Sequence, residues 1–285
     1  MLKPFQTTLN NARRVALLAG AMCSVPTALA APGDEGFDFL AGLGYFRDDN
    51  LFRLPDEHPG FDGKRSDSAR QAHAGALFNK TYGRQKVFAQ AKFTKVEFDH
   101  FDQLDYDGKD LQARWNWQLG NRFEGTLGAN YVQTLAPYTD FRSNQRNLRK
   151  HRRQYFDGAW RFHPSWRART AASRDKYTYE LLVQRFNDRT EDAFEIGGDY
   201  LPPSGSSVGL VARRIKGDYL SRRMFGGLSL DESFEQDELK ARINWLASGS
   251  TTVQVLAGHA KRKYQARSER DASGFNGRIT AVHQP

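Results

Sequence analysis

Residues 155–172 read YFDGAWRFHPSWRARTAA. Phe156, Gly158, Trp160 and Phe162 share one parity, and Tyr155, Asp157, Ala159 and Arg161 share the other. His163-Pro164-Ser165 interrupts the run. Alternation then resumes, with Trp166, Ala168, Thr170 and Ala172 against Arg167, Arg169 and Ala171. Side chains of a strand alternate between two faces, so this is a hairpin with one apolar and one cationic face. Aromatics clustered at a strand end, with arginines on the opposite face, suit the wall of a membrane β-barrel. A soluble antiparallel sheet, its apolar face on a core, is the competing reading, and the rest of the chain must decide.

The whole chain repeats the pattern. Alternating segments fall at 37–47, 69–81, 86–98, 109–119, 123–134, 190–200, 206–215, 236–247, 251–263 and 273–283, so with the hairpin the sequence predicts about twelve strands. Residues 109–119 are the cleanest: Leu111, Ala113, Trp115, Trp117 and Leu119 oppose Asp110, Gln112, Arg114, Asn116 and Gln118. The connections alternate too. Short turns at 82–84, 120–122, 163–165, 202–205 and 248–250 take turns with long polar loops at 48–67, 99–108, 135–150, 173–189, 216–235 and 264–272. An outer-membrane barrel sorts its connections in this way, with short periplasmic turns and longer outer loops. A soluble sandwich has no reason to do so. Trp117, Trp160, Tyr200 and Trp245 each precede a short turn, as an interfacial aromatic girdle would. Backbone groups inside lipid must all be paired, so such a sheet is expected to close on itself. The expected fold is therefore an all-β, antiparallel transmembrane β-barrel.

Composition agrees. Aromatic residues make up 13% of the 285 residues and there are 25 glycines, which suits strands and tight turns. Mean hydropathy is −0.70, and no run after residue 31 is long and apolar enough for a transmembrane helix. Residues 1–30 read as a signal peptide, with Lys3, Arg13 and Arg14 ahead of a short apolar stretch and Ala28-Leu29-Ala30 at the cleavage site. Residues 31–285 are then the barrel. Met22 before Cys23 argues against lipoprotein processing. The only cysteine leaves with the leader, which excludes disulfides and thiolate chemistry from the remainder. The leader carries three basic and no acidic residues, so the +9 formal charge becomes +6. In an exported protein that balance points to anionic glycan or lipopolysaccharide rather than nucleic acid. The chain stops where another turn would begin, which predicts further strands beyond residue 285.

No catalytic constellation emerges. The seven histidines show no metal-ligand spacing, and neither a phosphate-binding loop nor a nucleophile elbow is present. Ser143 and His151 share a loop, but nothing orients them. Residues 99–110 are acidic yet lack the spacing of a calcium loop. Neither a cofactor nor a metal is expected. The cations are the strongest signal. Arg114, Arg153, Arg161, Arg167, Arg169, Arg213 and Arg242 all fall on the polar parity, and facing lipid each would cost roughly 2–4 kcal/mol. They are the candidate lumen residues. Two readings stand side by side: a brace, paired with acids such as Asp110, Asp157 and Glu238, or a track for an anionic polysaccharide, with Tyr155 as a stacking surface.

The stretches Tyr45-Phe46-Arg47-Asp48-Asp49-Asn50-Leu51-Phe52-Arg53-Leu54, Leu104-Asp105-Tyr106-Asp107-Gly108 and Asp199-Tyr200-Leu201-Pro202-Pro203 resemble the EpsL-type barrels of bacterial exopolysaccharide operons, grouped with the β-barrel porins. The resemblance spans most of the chain after the leader. It implies an outer-membrane protein of exopolysaccharide biosynthesis or export, without catalytic residues, whose partners are outer-membrane lipid, a polysaccharide and proteins of the export machinery. A general or solute-specific porin and a non-conducting structural barrel are the alternatives.

Overall fold

The computed structural model describes residues 36–139, 141–225 and 228–283; the expected signal peptide lies outside them. Twelve long strands follow one another in a single antiparallel sheet: β1 (Gly36–Asp48), β2 (Asp67–Tyr82), β3 (Gln85–Phe98), β4 (Tyr106–Leu119), β5 (Phe123–Leu135), β6 (Leu148–His163), β7 (Trp166–Tyr179), β8 (Arg189–Tyr200) and β9 (Ser207–Tyr219), then β12 (Phe234–Leu246), β13 (Thr251–Tyr264) and β14 (Ala272–His283). Two short strands, β10 (Arg223–Phe225) and β11 (Leu228–Leu230), pair with each other inside one loop. Each long strand pairs with its predecessor and successor, and the sheet is not closed between β1 and β14. The all-β antiparallel expectation, its strand number and all five short turns are therefore present in the molecule. Gly120 adopts φ +59° in one of these turns, a conformation L side chains rarely enter.

The two faces separate as the alternation predicts. Phe37, Phe39, Leu43, Trp115, Leu127, Phe156, Trp160, Trp166, Ile196, Leu210, Leu239 and Trp245 are exposed on one face. Buried Ala159, Asp175, Asp199 and Val211 lie on the other. Side chains on that second face reach over intervening strands. Arg167 of β7 meets Glu124 of β5 at 3.6 Å, and Arg242 of β12 meets Glu195 of β8 at 3.4 Å. Such reaches are shortest on the concave face of a curved sheet, which makes the polar face the inner one of a barrel wall.

The opening hairpin is present, with a register shift between Trp160 and His163. Phe162 stays with the turn-end aromatics through it, its ring 5.6 Å from that of Trp160. Every expected long loop is shorter than the sequence predicts, the one at 173–189 most of all. β6 starts at Leu148, and β7 continues to Tyr179, so 173–179 is strand and not loop. The reason is local: Arg174 and Lys176 occupy outward positions, so the apolar alternation that marks a strand fails there although the ladder continues.

Loop 49–66 was expected to be merely polar, yet it carries the main apolar cluster. Leu51, Phe52 and Leu54 fold over the inner face of β1–β4 and pack with Ala69, Val96, Phe98, Phe101 and Leu104. Phe52 is fully buried, its ring set edge-on to Phe61 and Phe101 at 4.8 Å and to Tyr138 at 5.0 Å. The chain is held in this shape by its own polar groups. Asp48 accepts from Arg53 at 2.8 and 2.7 Å, and Asn50 donates to and accepts from the Leu54 backbone, both at 2.8 Å. These bonds offset the φ of +56° at Arg53, uncommon for a residue with a β-carbon. Asp67 accepts the backbone N–H groups of His100 and Phe101, tying the neighbouring loop to the same cluster.

Candidate functional site

The inner face is organised in three tiers. At the turn end lies an arginine–carboxylate network. Asp199 on β8 is its hub, with only 2% of its side chain exposed. It accepts from Arg167 at 2.8 and 3.1 Å through one oxygen and from Arg242 at 3.0 Å through the other. The hub is possible because Gly209 lies opposite on β9: a β-carbon there would collide with the Asp199 carboxylate and the Gly198 carbonyl. Arg169 joins Asp157 at 3.2 Å, and Lys240 joins Glu238 at 2.9 Å. A polar cleft of about 330 Å³ opens beside the network, lined among others by Arg167, Arg213, Arg242 and Arg278. Burial lowers the effective dielectric, so these paired charges hold one another more firmly than surface pairs would.

The middle tier is less neutralised. Arg213 stands in register between Glu195 and Glu238, but those carboxylates pair with Arg242 and Lys240. Arg153 has a half-exposed side chain and lies 3.8 Å from Asp175, whose other oxygen is held by His151 at 2.7 Å. Its guanidinium sits 5.6 Å from the Tyr155 ring. Arg114 is exposed on β4, 5.4 Å from the Phe88 ring. Among the described residues, neither Arg114 nor Arg213 forms an ion pair.

The third tier, at the loop end, is a row of rings and cations on β6 to β13. His151 stacks on Tyr177 at 4.3 Å with 6° between the planes, and the Arg189 guanidinium lies 4.2 Å over the same Tyr177 ring. Arg189 opposes Tyr219 in register. Further on, Arg262 sits 4.1 Å over Phe234, whose ring is 6.0 Å from Tyr264. Cations over aromatic faces are attracted to the ring quadrupole. Outside the strands, Arg146 holds Glu180 at 2.8 Å, and that hydrogen bond pushes the Arg146 guanidinium above its ordinary range.

The seven candidate arginines therefore divide. Arg167, Arg169 and Arg242 join one network. Arg114, Arg153 and Arg213 lie above it. Arg161 takes no part: it sits by the register shift, exposed, its backbone N–H donating to Arg122 at 2.7 Å. Of the expected acidic partners, Asp157 pairs with Arg169 and Glu238 with a lysine, while Asp110 accepts from Gln112. The hub Asp199 escaped sequence reasoning, although a carboxylate at an inward position just before a turn was a usable signal. Tyr177, Tyr219 and Tyr264 also escaped it, because all three fell in stretches expected to be loop. His151 bonds to Asp175 rather than to Ser143, whose hydroxyl accepts the Gln145 N–H. Among the described residues no cluster of three acidic, histidine or cysteine side chains could hold a metal ion. No protein-family model matches this chain, and no curated protein is significantly similar to it.

Proposed function

We propose that this chain forms the wall of an outer-membrane β-barrel and that its inner face guides an anionic polysaccharide during export. The middle tier carries the reading: Arg114, Arg153 and Arg213 face the interior without full neutralisation, above a braced ring and below a row of rings suited to stacking on sugars. The outward apolar band, the aromatic positions before the short turns and the sorting of short and long connections support the membrane placement. Strands of 12 to 16 residues exceed the roughly 9–11 that cross a bilayer at a tilt. The resemblance to EpsL-type barrels supports the polysaccharide. The apolar cluster over β1–β4, which narrows that side of the interior, favours a solute-specific porin as the second reading.

The test is polymer blockade of conductance in planar bilayers, using the protein extracted from membranes. An acidic polysaccharide should block the wild type, and Arg114→Glu/Arg153→Glu/Arg213→Glu should raise the blocking concentration at least about tenfold, as sign reversal in a focused field would. Neutral dextran should behave alike in both. Equal blockade of both proteins by the acidic polymer returns these arginines to a structural role. A chain that stays in the aqueous phase without detergent removes the membrane placement itself.

A further inference from the structure

The outer face holds a second charged region that the polysaccharide reading does not use. From β8 to β13 the outward charges alternate in sign. Asp192 opposes Lys216, Lys216 opposes Glu235 and Glu235 opposes Lys263; one row lower, Arg214 opposes Asp237 and Asp237 opposes Lys261. Arg174–Asp192 and Arg214–Asp237 close at 2.6 and 2.7 Å. This part of the wall is self-neutralised.

The wall from β4 to β7 is built differently. Arg152 of β6 is placed directly opposite Lys176 of β7, and Lys109 and Lys150 flank Gln133 on β5. All four cations are exposed, and none forms an ion pair among the described residues. The outward positions of β5, β6 and β7 contain no carboxylate at all. The nearest outward acids are Asp107 on β4 and Asp192 on β8, the latter committed to Arg174. Like charges directly across a ladder are destabilising. A strand pair that keeps such an arrangement, next to a region that alternates sign, carries a standing demand for an anion.

The surface below the cations says which anion. Ala89, Ala113 and Ala129 lie side by side in register and leave a depression between the larger side chains of Trp115, Leu127, Phe156 and Phe194. The groove measures about 1020 Å³ and is overwhelmingly apolar, with Arg174 and Arg214 at its margin. An apolar groove topped by a cation cluster matches an amphiphile with a phosphorylated head and hydrocarbon chains. Long basic side chains reach toward such headgroups while their stems stay on apolar surface.

We infer that Lys109, Lys150, Arg152 and Lys176 form a site on the outer wall for a phosphate-bearing membrane lipid, its phosphates on the cations and its chains in the alanine-floored groove. The inference rests on the membrane placement proposed above, and it is independent of what passes through the interior.

Native mass spectrometry of the detergent-purified full chain tests it, with a bisphosphorylated lipid A as probe and a phosphatidylcholine of matched chain length as the neutral arm. The wild type should retain the phosphorylated lipid and release the neutral one. Lys150→Gln/Arg152→Gln/Lys176→Gln should weaken the lipid A complex about a hundredfold, roughly fivefold for each basic residue. Lys261→Gln/Lys263→Gln, in the sign-alternating region, should leave it unchanged. Without lipid, Arg152→Gln alone should leave the unfolding midpoint near the wild-type value, because the cross-strand repulsion from Lys176 and the contact with the Tyr131 ring at 5.5 Å are lost together; a large fall would assign Arg152 a structural role. Unchanged lipid binding in the triple variant overturns the site, as does equal retention of phosphatidylcholine. Displacement of lipid A by inorganic phosphate at equal concentration would reassign the patch to a free anion. A chain that needs no detergent is a separate outcome, since it removes the membrane placement before any lipid is added.

Discussion

Replacing Asp199 by alanine is expected to be the most damaging single substitution in the sheet. It leaves Arg167 and Arg242, with 17% and 25% of their side chains exposed, facing each other without their shared carboxylate. Removing one member of a buried ion pair typically costs about 3–5 kcal/mol, and the partial exposure of the two arginines places this case near the lower figure. Asp199→Asn keeps the shape and one acceptor, so it should lose less. The diagnostic variant removes the hub charge together with both arginines bound to it. Asp199→Asn/Arg167→Gln/Arg242→Gln should recover much of the loss, since the cost lies in the uncompensated cations and not in the missing contact. Urea unfolding in micelles, followed by tryptophan fluorescence, gives the midpoints. A wild-type midpoint for Asp199→Ala would mean that the network does not hold β8 to β7 and β12.

Phe52→Ala should have an effect of similar size but different character. The ring is fully buried among Phe61, Phe101 and Tyr138, and excising a buried phenylalanine costs about 3–5 kcal/mol. The cluster lies above the strands rather than between two sheets, so the loss should release the loop instead of unfolding the β-ladder. Limited proteolysis should then cut within 49–66 while far-ultraviolet circular dichroism stays unchanged, and bilayer conductance should rise. An uncut loop in the variant would show that Asp48, Asn50 and Arg53 hold it without the ring.

Much of the fold was legible because the two faces of a strand meet such different surroundings. Residues 109–119 alternate strictly, and their strand ends one residue from the turn expected for it. Legibility failed where the outward face stops being apolar. Residues 173–179 carry charge at both parities, so period-two alternation vanished while the hydrogen-bonded ladder did not. The inner network was half legible. The arginines announced themselves by type and parity, but which ones are neutralised depends on reach across intervening strands, as from Arg242 over β9 to Asp199. Strand order alone cannot give that. The three motif stretches prove to be anchors. Asp48, Asn50 and Phe52 build the loop cluster, Asp105 accepts the Phe98 N–H at 2.7 Å, and Asp199 holds the arginines. A resemblance carried by such residues speaks first to how this wall is built.

The sign-alternating ladder from β8 to β13 also bears on how the strands find their partners. A slip of two residues between β9 and β12 keeps every side chain on its proper face, so hydrophobic patterning cannot detect it. The charges can. In one direction the slip sets Glu235 against Asp218, and in the other it leaves Asp237 opposite Ala212. The native pairing instead gives each of Lys216 and Arg214 a carboxylate. Each such pair contributes roughly 0.2–1 kcal/mol. Repeated over successive hairpins, that difference is a proofreading code written on the outside of the wall, and it acts while the strands are still choosing their alignment.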